Sequence, residues 1–274
     1  MMDNLLDSIA AKKRLLDQLR PLRGDALGAV QKAFDVELTY TSNAIEGNTL
    51  TLRETAEVIE HGLTVGGKSL RDHLEAVDHY AAVQWMRELA DRDTPIDPGT
   101  VRELHRRIVA RSQPDIAGIY SSHPRRIAGS RAVFPNPVKI PALMDALGRY
   151  LTDVSHVNTP AIVFEAHFRL VAIHPFADGN GRTARLLMNL LLLRAGYPPV
   201  AVRPEDRKRY LDALEQASTE DDLQPFQTLM HERLDATLDD YVGLLQEAMM
   251  TVPTLLSKPG SELDPDETDG PAPG

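Results

Sequence analysis

Two apolar segments joined by a short polar loop constrain the fold of this chain most. Residues 160–173 open with the Thr-Pro pattern typical of a helix start and are apolar on nearly every face. Residues 181–195 form a second helical segment that is also apolar all round. Helices of this kind are buried on all sides. The loop at residues 174–180 therefore connects the two most buried helices, an unusual place for polar and charged side chains.

Most of the remaining chain also has helical periodicity. We predict further helices at about residues 3–19, 26–46, 52–60, 69–90, 100–110, 142–151, 204–217 and 223–249. Residues 112–137 differ, because they are rich in Gly, Pro, Ser and Arg and contain two short extended pieces about a Gly-Ser turn. The sequence therefore predicts an all-α fold, a helical bundle with a short β-hairpin flap at residues 118–135.

Three regions follow from this pattern. Residues 1–95 are predicted to form an N-terminal helical region, and residues 96–250 a core that contains the flap and the segment 174–185. Residues 251–274 are acidic and rich in Pro and Gly, a composition typical of a disordered tail.

The composition excludes several classes of function. The chain contains no cysteine, which rules out disulfides, thiolate zinc sites and cysteine nucleophiles. Its formal net charge of −10 disfavours a general nucleic-acid surface, because most of the protein would repel phosphates. The first residues of the sequence include aspartates where a signal peptide would carry basic residues. No apolar run in the sequence is long enough to span a bilayer. We therefore expect a cytoplasmic protein with no nucleic-acid or membrane partner.

Gly179, Asn180 and Gly181 lie immediately before a predicted helix start. Glycines let the backbone approach a ligand closely, and the first N–H groups of a helix carry partial positive charge, so we call these residues the anion cradle. Arg182 and Arg185 lie on one face of the first turn, where the helix dipole disfavours cations. Nearby carboxylates could offset this repulsion, but the adjacent glycines favour phosphate.

Asp178 and His174 supply reactive groups next to the anion cradle. A carboxylate with phosphate oxygens and water is a usual way to hold Mg²⁺, although capping of the following helix by Asp178 fits the spacing equally well. His174 precedes Pro175, which disfavours a helical backbone at His174 and would turn the imidazole toward the loop. There it could act as general base on a hydroxyl. The other histidines of the nine are interpreted as packed or surface residues.

The stretch from His174 to Arg185 reads HPFADGNGRTAR and resembles the signature of the Fic (filamentation induced by cAMP) family, HPFx(D/E)GNGRxxR, at every specified position. The resemblance covers roughly residues 25–225. It implies an all-helical fold and transfer of AMP from ATP to a Ser, Thr or Tyr hydroxyl of a target protein. It also implies that His174 accepts the hydroxyl proton and that Asp178 holds Mg²⁺ between the α- and β-phosphates. The anion cradle would hold the phosphates, Arg182 would stabilise the leaving pyrophosphate, and Arg185 would meet the γ-phosphate.

A second stretch, residues 42–48, reads SNAIEGN and resembles the family's inhibitory pattern (S/T)xxxE(G/N). Glu46 is unusual by itself, because a carboxylate in the last turn of a helix faces the unfavourable end of the dipole. A surface glutamate is the alternative. The resemblance implies that Glu46 pairs with Arg185, with Ser42 near the site, and so removes Arg185 from the γ-phosphate. We therefore expect autoinhibition.

Residues 118–135 resemble the family's flap, where an exposed edge could align a target protein by strand addition. Ser121 follows Tyr120 where relatives often carry arginine, so the individual flap contacts are not carried over. Tyr210 lies in a stretch, residues 207–214, that resembles the cover of the adenine, and it is a candidate stacking residue with core packing as the alternative. Self-modification and a homo-oligomer are both compatible with the sequence.

Other functions fit the same site. Glu46 could orient water to remove AMP from a modified protein, and UMP or phosphocholine could replace AMP as the transferred group. Phosphate transfer is disfavoured, because the family's toxin branch carries Lys in place of the second glycine and Gly181 is intact here. The complete motif disfavours a silent nucleotide sensor, and an inhibitory helix in the same chain disfavours the toxin half of a two-protein module.

Overall fold

The computed structural model describes residues 2–20, 25–127, 129–154 and 159–256. Over these residues the chain forms ten α-helices: α1 Met2–Gln18, α2 Asp25–Ile45, α3 Leu52–His61, α4 Leu70–Ala90, α5 Pro98–Ile108, α6 Ile140–Val154, α7 Pro160–Ile173, α8 Asn180–Arg194, α9 Arg207–Glu220 and α10 Gln224–Leu256. The predicted all-α fold is confirmed. None of the described helices combines the length and the apolar character that crossing a bilayer requires.

Local sequence signals set several helix boundaries. Thr51 caps α3, since its hydroxyl oxygen accepts the N–H of Glu54 at 3.2 Å and the Glu54 carboxylate accepts the N–H of Thr51 at 2.7 Å. Gly62 ends the same helix with φ at 63°. Thr159 is extended and precedes Pro160 at the start of α7. These starts are the ones that the sequence predicts.

Helix α8 lies at the centre of the bundle. Its residues from Arg182 to Leu192 are all buried, and it packs against α4, α5 and α7. The apolar side chains that surround this helix therefore contact neighbours on every side, as predicted. This packing fixes the helix start, where the anion cradle lies.

Helices α1 and α2 share one hydrophobic core with the rest of the bundle. Ile9 of α1 and Phe34 and Leu38 of α2 belong to the same cluster as the buried residues of α7 and α8. Helix α1 packs along α10, and α2 packs against α4 and contacts α8. The end of α2, which Glu46 follows, is thereby held near the start of α8.

The flap contains a turn, but its described residues do not pair as two strands. Ser130 donates its N–H to the carbonyl of Ile127 at 3.1 Å, at the predicted turn. An isolated antiparallel bridge joins Tyr120 to Phe176 in the loop after α7. The predicted β-hairpin is thus replaced by a turn and a bridge to the active-site loop. Prolines near both ends of the flap lack the N–H groups that a ladder needs.

The last helix is longer than predicted. Helix α10 continues to Leu256, past the predicted end near Met249, and the sequence has no glycine between Gly243 and Gly260 to end it earlier. The start of the predicted disordered tail, residues 251–274, therefore belongs to this helix. Residues 257–274 lie outside the described residues.

Candidate active site

His174 ends α7 in a left-handed backbone conformation, with φ at 50° and ψ at 55°. Residues other than glycine adopt this conformation rarely, and Pro175 disfavours the right-handed helical alternative at the residue before it. The N–H of His174 still donates to the carbonyl of Leu170 at 3.1 Å and closes the last turn of α7. As predicted, His174 leaves the helix, and it lines a cavity beside the loop.

The surroundings of His174 keep its imidazole neutral. The ring stacks on Phe134 of the flap, with ring centres 4.0 Å apart. Burial lowers the pKa of His174 to about 4; the backbone of Val171 and the charge of Glu46 oppose this shift, and the charge of Arg125 adds to it. At neutral pH the ring is therefore uncharged and able to accept a proton.

The start of α8 presents backbone N–H groups that have no helical partner. Thr183 donates its N–H to the carbonyl of Gly179 at 2.9 Å, so the helical hydrogen bonds begin there. The N–H groups of residues 180–182 precede that bond and, in the described part of the chain, donate to no backbone carbonyl. Gly179 is left-handed, with φ at 75°, and its own N–H donates to Asp178. The free donors at the start of α8 are therefore the N–H groups of Asn180 and Gly181 in the anion cradle and that of Arg182 next to it.

The side chain of Asn180 closes the loop. Its Oδ1 accepts the N–H of Phe176 at 2.9 Å, and its Nδ2 donates to the carbonyl of Phe176 at 2.9 Å. Phe176 is fully buried and stacks on His105, with ring centres 3.8 Å apart. Asn180 thus stabilises the loop with its side chain.

Asp178 carries an ionised carboxylate. It accepts hydrogen bonds from Gln113 at 2.6 Å and from Arg71 at 3.0 Å. Burial by itself raises the pKa of Asp178, but the hydrogen bond from Gln113 and the charge of Arg182 outweigh it and lower the pKa. Its Oδ1 accepts the N–H of Gly179 at 2.7 Å. A side-chain cap would instead accept the second or third N–H of the helix, so Asp178 does not cap α8 in this way.

The residues at this site fit a metal ion that arrives with a nucleotide. In the described part of the chain, no three His, Asp or Glu side chains converge to hold a metal by themselves. Mg²⁺ commonly uses one or two carboxylates together with phosphate oxygens and water. The ionised carboxylate of Asp178 can supply such a ligand.

Arg182 lies beneath the anion cradle and is 1% exposed. Its Nη1 lies 3.4 Å from Oε1 of Glu75 in α4, and its Nη2 lies 3.8 Å from Oδ1 of Asp178. Burial, together with the positive charges of Arg182 and Arg185, holds the pKa of His79 well below its usual range. An uncharged histidine therefore packs near both cations, which avoids a third positive charge.

Arg185 contacts the end of α2. Its Nη2 donates to Oε1 of Glu46 at 2.7 Å and to the carbonyl of Ser42 at 2.8 Å. Its Nε donates to the hydroxyl of Ser42 at 3.0 Å. Burial by itself lowers the pKa of Arg185, but the charge of Glu46 and the hydrogen bonds outweigh it and raise the pKa. The predicted contact between Glu46 and Arg185 is present, and Ser42 lies beside it.

The carboxylate of Glu46 also lies over Gly181. A methyl group built on Gly181 would collide with Oε1 of Glu46. This carboxylate therefore lies where an anion bound to the start of α8 would approach. Arg207, the first residue of α9, donates from Nε to the carbonyl of Ile45 at 2.8 Å and holds the end of α2 in place.

Tyr210 is a core residue, which favours core packing over the predicted stacking on adenine. It is 1% exposed, and its ring packs near Phe226 of α10. Its hydroxyl lies 2.8 Å from Nε2 of His167 and accepts a hydrogen bond from Nη1 of Arg185 at 3.4 Å. The ring lies on the inward face of α9 and still forms part of the cavity wall, whereas Leu211 at the next position is 41% exposed and also lines the cavity.

A cavity of about 380 Å³ lies between the start of α8, the flap and α9. This volume is typical of a small-molecule site. The cavity is lined by the backbone of Gly181 and by the polar side chains of Glu46, His174, Arg185 and Lys208. Its apolar lining includes Ile127, Phe134, Val171, Leu211 and Leu214. The cavity thus combines an anion-binding end with an apolar wall that can face a planar base.

Several residues of the site were missed at the level of sequence. Arg71 and Glu75 are four apart on α4 and form an ion pair, and this spacing alone could have marked a charged helix face. No local pattern shows that Arg71 reaches Asp178, because the two lie 107 residues apart. Gln113 and Arg207 lack even a spacing signal, since each acts through a contact made only in the folded bundle.

Comparison with known proteins shows which family this chain resembles. The Fic/DOC family pattern matches residues 95–192. The chain is 34% identical over 256 residues to the protein adenylyltransferase Fic of Drosophila melanogaster and 36% identical over 245 residues to that of Nematostella vectensis. These alignments cover 92% and 87% of this chain, but 51% and 56% of the relatives. The chain therefore spans about half the length of the curated relatives it matches.

Two solved structures superpose on most of this chain. A Fic domain containing signaling protein from Bacteroides thetaiotaomicron superposes with a TM-score of 0.80 at 31% identity, covering 88% of this chain and 97% of that protein. Fic-1 from C. elegans superposes with a TM-score of 0.80 at 30% identity, covering 90% of this chain and 74% of the solved one. On this evidence of sequence and fold, the chain belongs to the Fic/DOC family.

Proposed function

We propose that this chain is an enzyme that transfers AMP from ATP to a serine, threonine or tyrosine hydroxyl of a target protein. The observation that carries the proposal is the position of His174. Its neutral imidazole lines the same cavity as Gly181 and Arg185, next to the free N–H groups at residues 180–182. The names of the similar proteins, protein adenylyltransferase Fic, support the same activity.

In the proposed reaction the target hydroxyl oxygen attacks the α-phosphorus of ATP. The bond from the α-phosphorus to the oxygen that bridges to the β-phosphate breaks, and pyrophosphate leaves. The proton of the hydroxyl passes to His174. The free N–H groups at residues 180–182, with Arg182 and Arg185, bind the phosphate oxygens and offset the negative charge of the transition state.

The Mg²⁺ that accompanies ATP would be held by Asp178 in this proposal. The metal would supply positive charge at the phosphates. Asp178 is ionised but shares its carboxylate with Arg71 and Gln113. We infer that Arg71, whose side chain is 58% exposed, moves away from Asp178 when the metal binds.

We infer further that the resting enzyme is inhibited by Glu46. Its carboxylate contacts Arg185 and lies over Gly181, so it competes with phosphate at both groups. The cost of separating the pair is increased by the burial of Arg185, which is 4% exposed. ATP can then bind in a productive orientation only after Glu46 has moved.

A second candidate function is removal of AMP from a modified protein. Glu46 and His174 line the same cavity, and the side chain of Glu46 is 39% exposed, so its carboxylate could orient a water molecule at the phosphorus. Incubation of the wild-type chain with a pre-modified protein, with release of AMP as the readout, tests this candidate. The cytoplasmic location, self-modification and oligomeric state stay predictions from the sequence.

Intact-mass spectrometry tests the proposed transfer. Wild type and Glu46→Gly are incubated with Mg²⁺ and each of the four nucleoside triphosphates, or with CDP-choline, and candidate acceptor proteins. An added mass of AMP that depends on ATP supports the proposal, and the mass of another group corrects the donor. His174→Ala should abolish transfer while ATP still binds. Transfer that persists in His174→Ala would exclude His174 as the base.

A further inference from the structure

Residues 116–144, here called the acid-free segment, contain no Asp or Glu. In this chain 40 of 274 residues are acidic, so a 29-residue stretch would carry about four by proportion. The segment also carries four cations, Arg125, Arg126, Arg131 and Lys139. It is therefore a cationic region in a chain whose formal net charge is −10.

The acid-free segment lies against the candidate catalytic base. Ser121 donates its N–H to the carbonyl of Pro175 at 2.8 Å, directly after His174. Further along, Phe134 stacks on the ring of His174. Arg125 donates from Nε to the hydroxyl of Ser121 at 2.9 Å, and its positive charge acts on His174.

Two of the four cations are free to meet a partner. Arg131 is occupied, since it forms ion pairs with Glu215 at 3.0 Å and Glu220 at 3.6 Å. Arg126 and Lys139 are exposed, and neither forms an ion pair or side-chain hydrogen bond with another residue that the structure describes. Both charges therefore face solvent, Arg126 within the flap and Lys139 between the flap and α6.

Exposed apolar side chains accompany these charges. Val133 is 85% exposed, Val138 is 87% exposed and Ile127 is 48% exposed. Ile127 also lines the cavity, whereas Val133 and Val138 are exposed elsewhere along the same segment. Together with the cations they provide contact area as well as charge.

We propose that the acid-free segment docks an acidic segment of the target protein, with carboxylates of the target on Arg126 and Lys139 and the accepting hydroxyl beside His174. The inference rests on the proposed function and names the substrate class of that site. Charge complementarity carries it, because opposite charges steer association and set register. An extended polyanion such as RNA or an anionic membrane would also meet the repulsion of a protein with net charge −10.

The test compares acceptor peptides that differ only in charge. Each contains one serine flanked by Asp and Glu, by Asn and Gln, or by Lys, and AMP transfer is measured with the Glu46→Gly chain. We expect kcat/KM for the acidic peptide to exceed that for the neutral peptide by about 3- to 10-fold, from two exposed charge pairs, and the preference to shrink at high salt.

A charge-reversed chain, Arg126→Glu with Lys139→Glu, should lose this preference or favour the Lys peptide. A matched control, Arg14→Glu with Arg92→Glu, changes the net charge equally at two exposed positions, one on α1 and one in the turn after α4, and should keep the preference. Circular dichroism checks that each chain is folded. Equal rates for all peptides, or the same preference in the reversed chain and the control, would overturn the proposal.

Peptide binding, measured by fluorescence anisotropy, separates the two proposals. If no chain incorporates AMP into any peptide or into itself, the proposed function fails, yet selective binding of the acidic peptide that depends on Arg126 and Lys139 would still support the docking surface. Equal binding of an RNA oligonucleotide or of phosphatidylserine–phosphatidylcholine vesicles would overturn the peptide as its occupant.

Discussion

The Nη2 atom of Arg185 lies 2.7 Å from Oε1 of Glu46, although the two residues are 139 positions apart. The same guanidinium donates to the hydroxyl and the carbonyl of Ser42. These contacts come from Ser42 in the last turn of α2 and from Glu46 directly after it, so the position of this helix end determines whether Arg185 is available to a ligand.

Replacing Glu46 by Gly should raise AMP transfer by about tenfold or more. A hydrogen bond to a charged group contributes about 1.5–3 kcal/mol, and 1.4 kcal/mol corresponds to a factor of ten. The initial rate of AMP incorporation, read by intact mass, checks this. Glu46→Gln is the matched control, since it keeps the size and removes the charge, and it should activate less. An unchanged rate in a folded Glu46→Gly chain would refute the inhibitory role.

Replacing Arg207 by Ala should activate the enzyme by a few-fold, less than Glu46→Gly. The substitution removes the hydrogen bond that holds the carbonyl of Ile45 at the end of α2, and one such bond contributes about 0.5–1.5 kcal/mol. The same rate assay checks it. In a Glu46→Gly background the substitution should give no further activation, because the inhibitory carboxylate is already absent. Activation that adds fully to that of Glu46→Gly would mean that Arg207 acts elsewhere.

Replacing Arg71 by Ala should lower the Mg²⁺ concentration needed for half-maximal transfer by about two- to fivefold. Arg71 competes with the metal for Asp178, and an exposed ion pair contributes about 0.2–1 kcal/mol. A Mg²⁺ titration at constant ATP measures it. Arg71→Lys keeps the charge and should behave nearly as wild type. If the Mg²⁺ concentration for half-maximal transfer is unchanged or higher in Arg71→Ala, Arg71 does not compete with the metal for Asp178.

The rate of transfer should be almost independent of pH between about pH 6 and about pH 8. The pKa of His174 is lowered to about 4 by burial, so the neutral base persists as pH falls and is lost only as pH approaches that value. A histidine with an ordinary pKa near 6.5 would lose activity already below about pH 6.5. A profile of kcat/KM measured with Glu46→Gly distinguishes the two. An inflection near pH 6.5 that tracks His174 would contradict the lowered pKa.

Tyr210→Phe should raise KM for ATP several-fold. The substitution keeps the ring but removes the hydroxyl that accepts a hydrogen bond from Arg185 and contacts His167. A stacking role would be preserved in Phe, so KM would then stay unchanged. Measurement of KM and kcat separately, in the Glu46→Gly background, decides between positioning of Arg185 and stacking on the base.

Most of the fold was predictable from the sequence because its signals are local. The capping box at Thr51 and Glu54 and the Thr-Pro start of α7 each depend on residues within one helical turn. The flap was predicted less well, because pairing of its strands competes with its bridge to Phe176, and a sequence pattern does not show which partner wins.

The sequence by itself determined the central helices, the end of α7 at His174 and the position of the glycines at the start of α8, since each follows from local backbone preferences. The contact between Glu46 and Arg185 was expected from the family resemblance, but its geometry comes from the packing of the bundle. Only the tertiary structure decided that Arg71 reaches Asp178 and that the ring of Tyr210 is buried while Leu211 is exposed. These relationships depend on how α2, α4 and α9 pack around α8. Side chains more than 20 positions apart meet only when the buried apolar faces of their helices have set the distance between them.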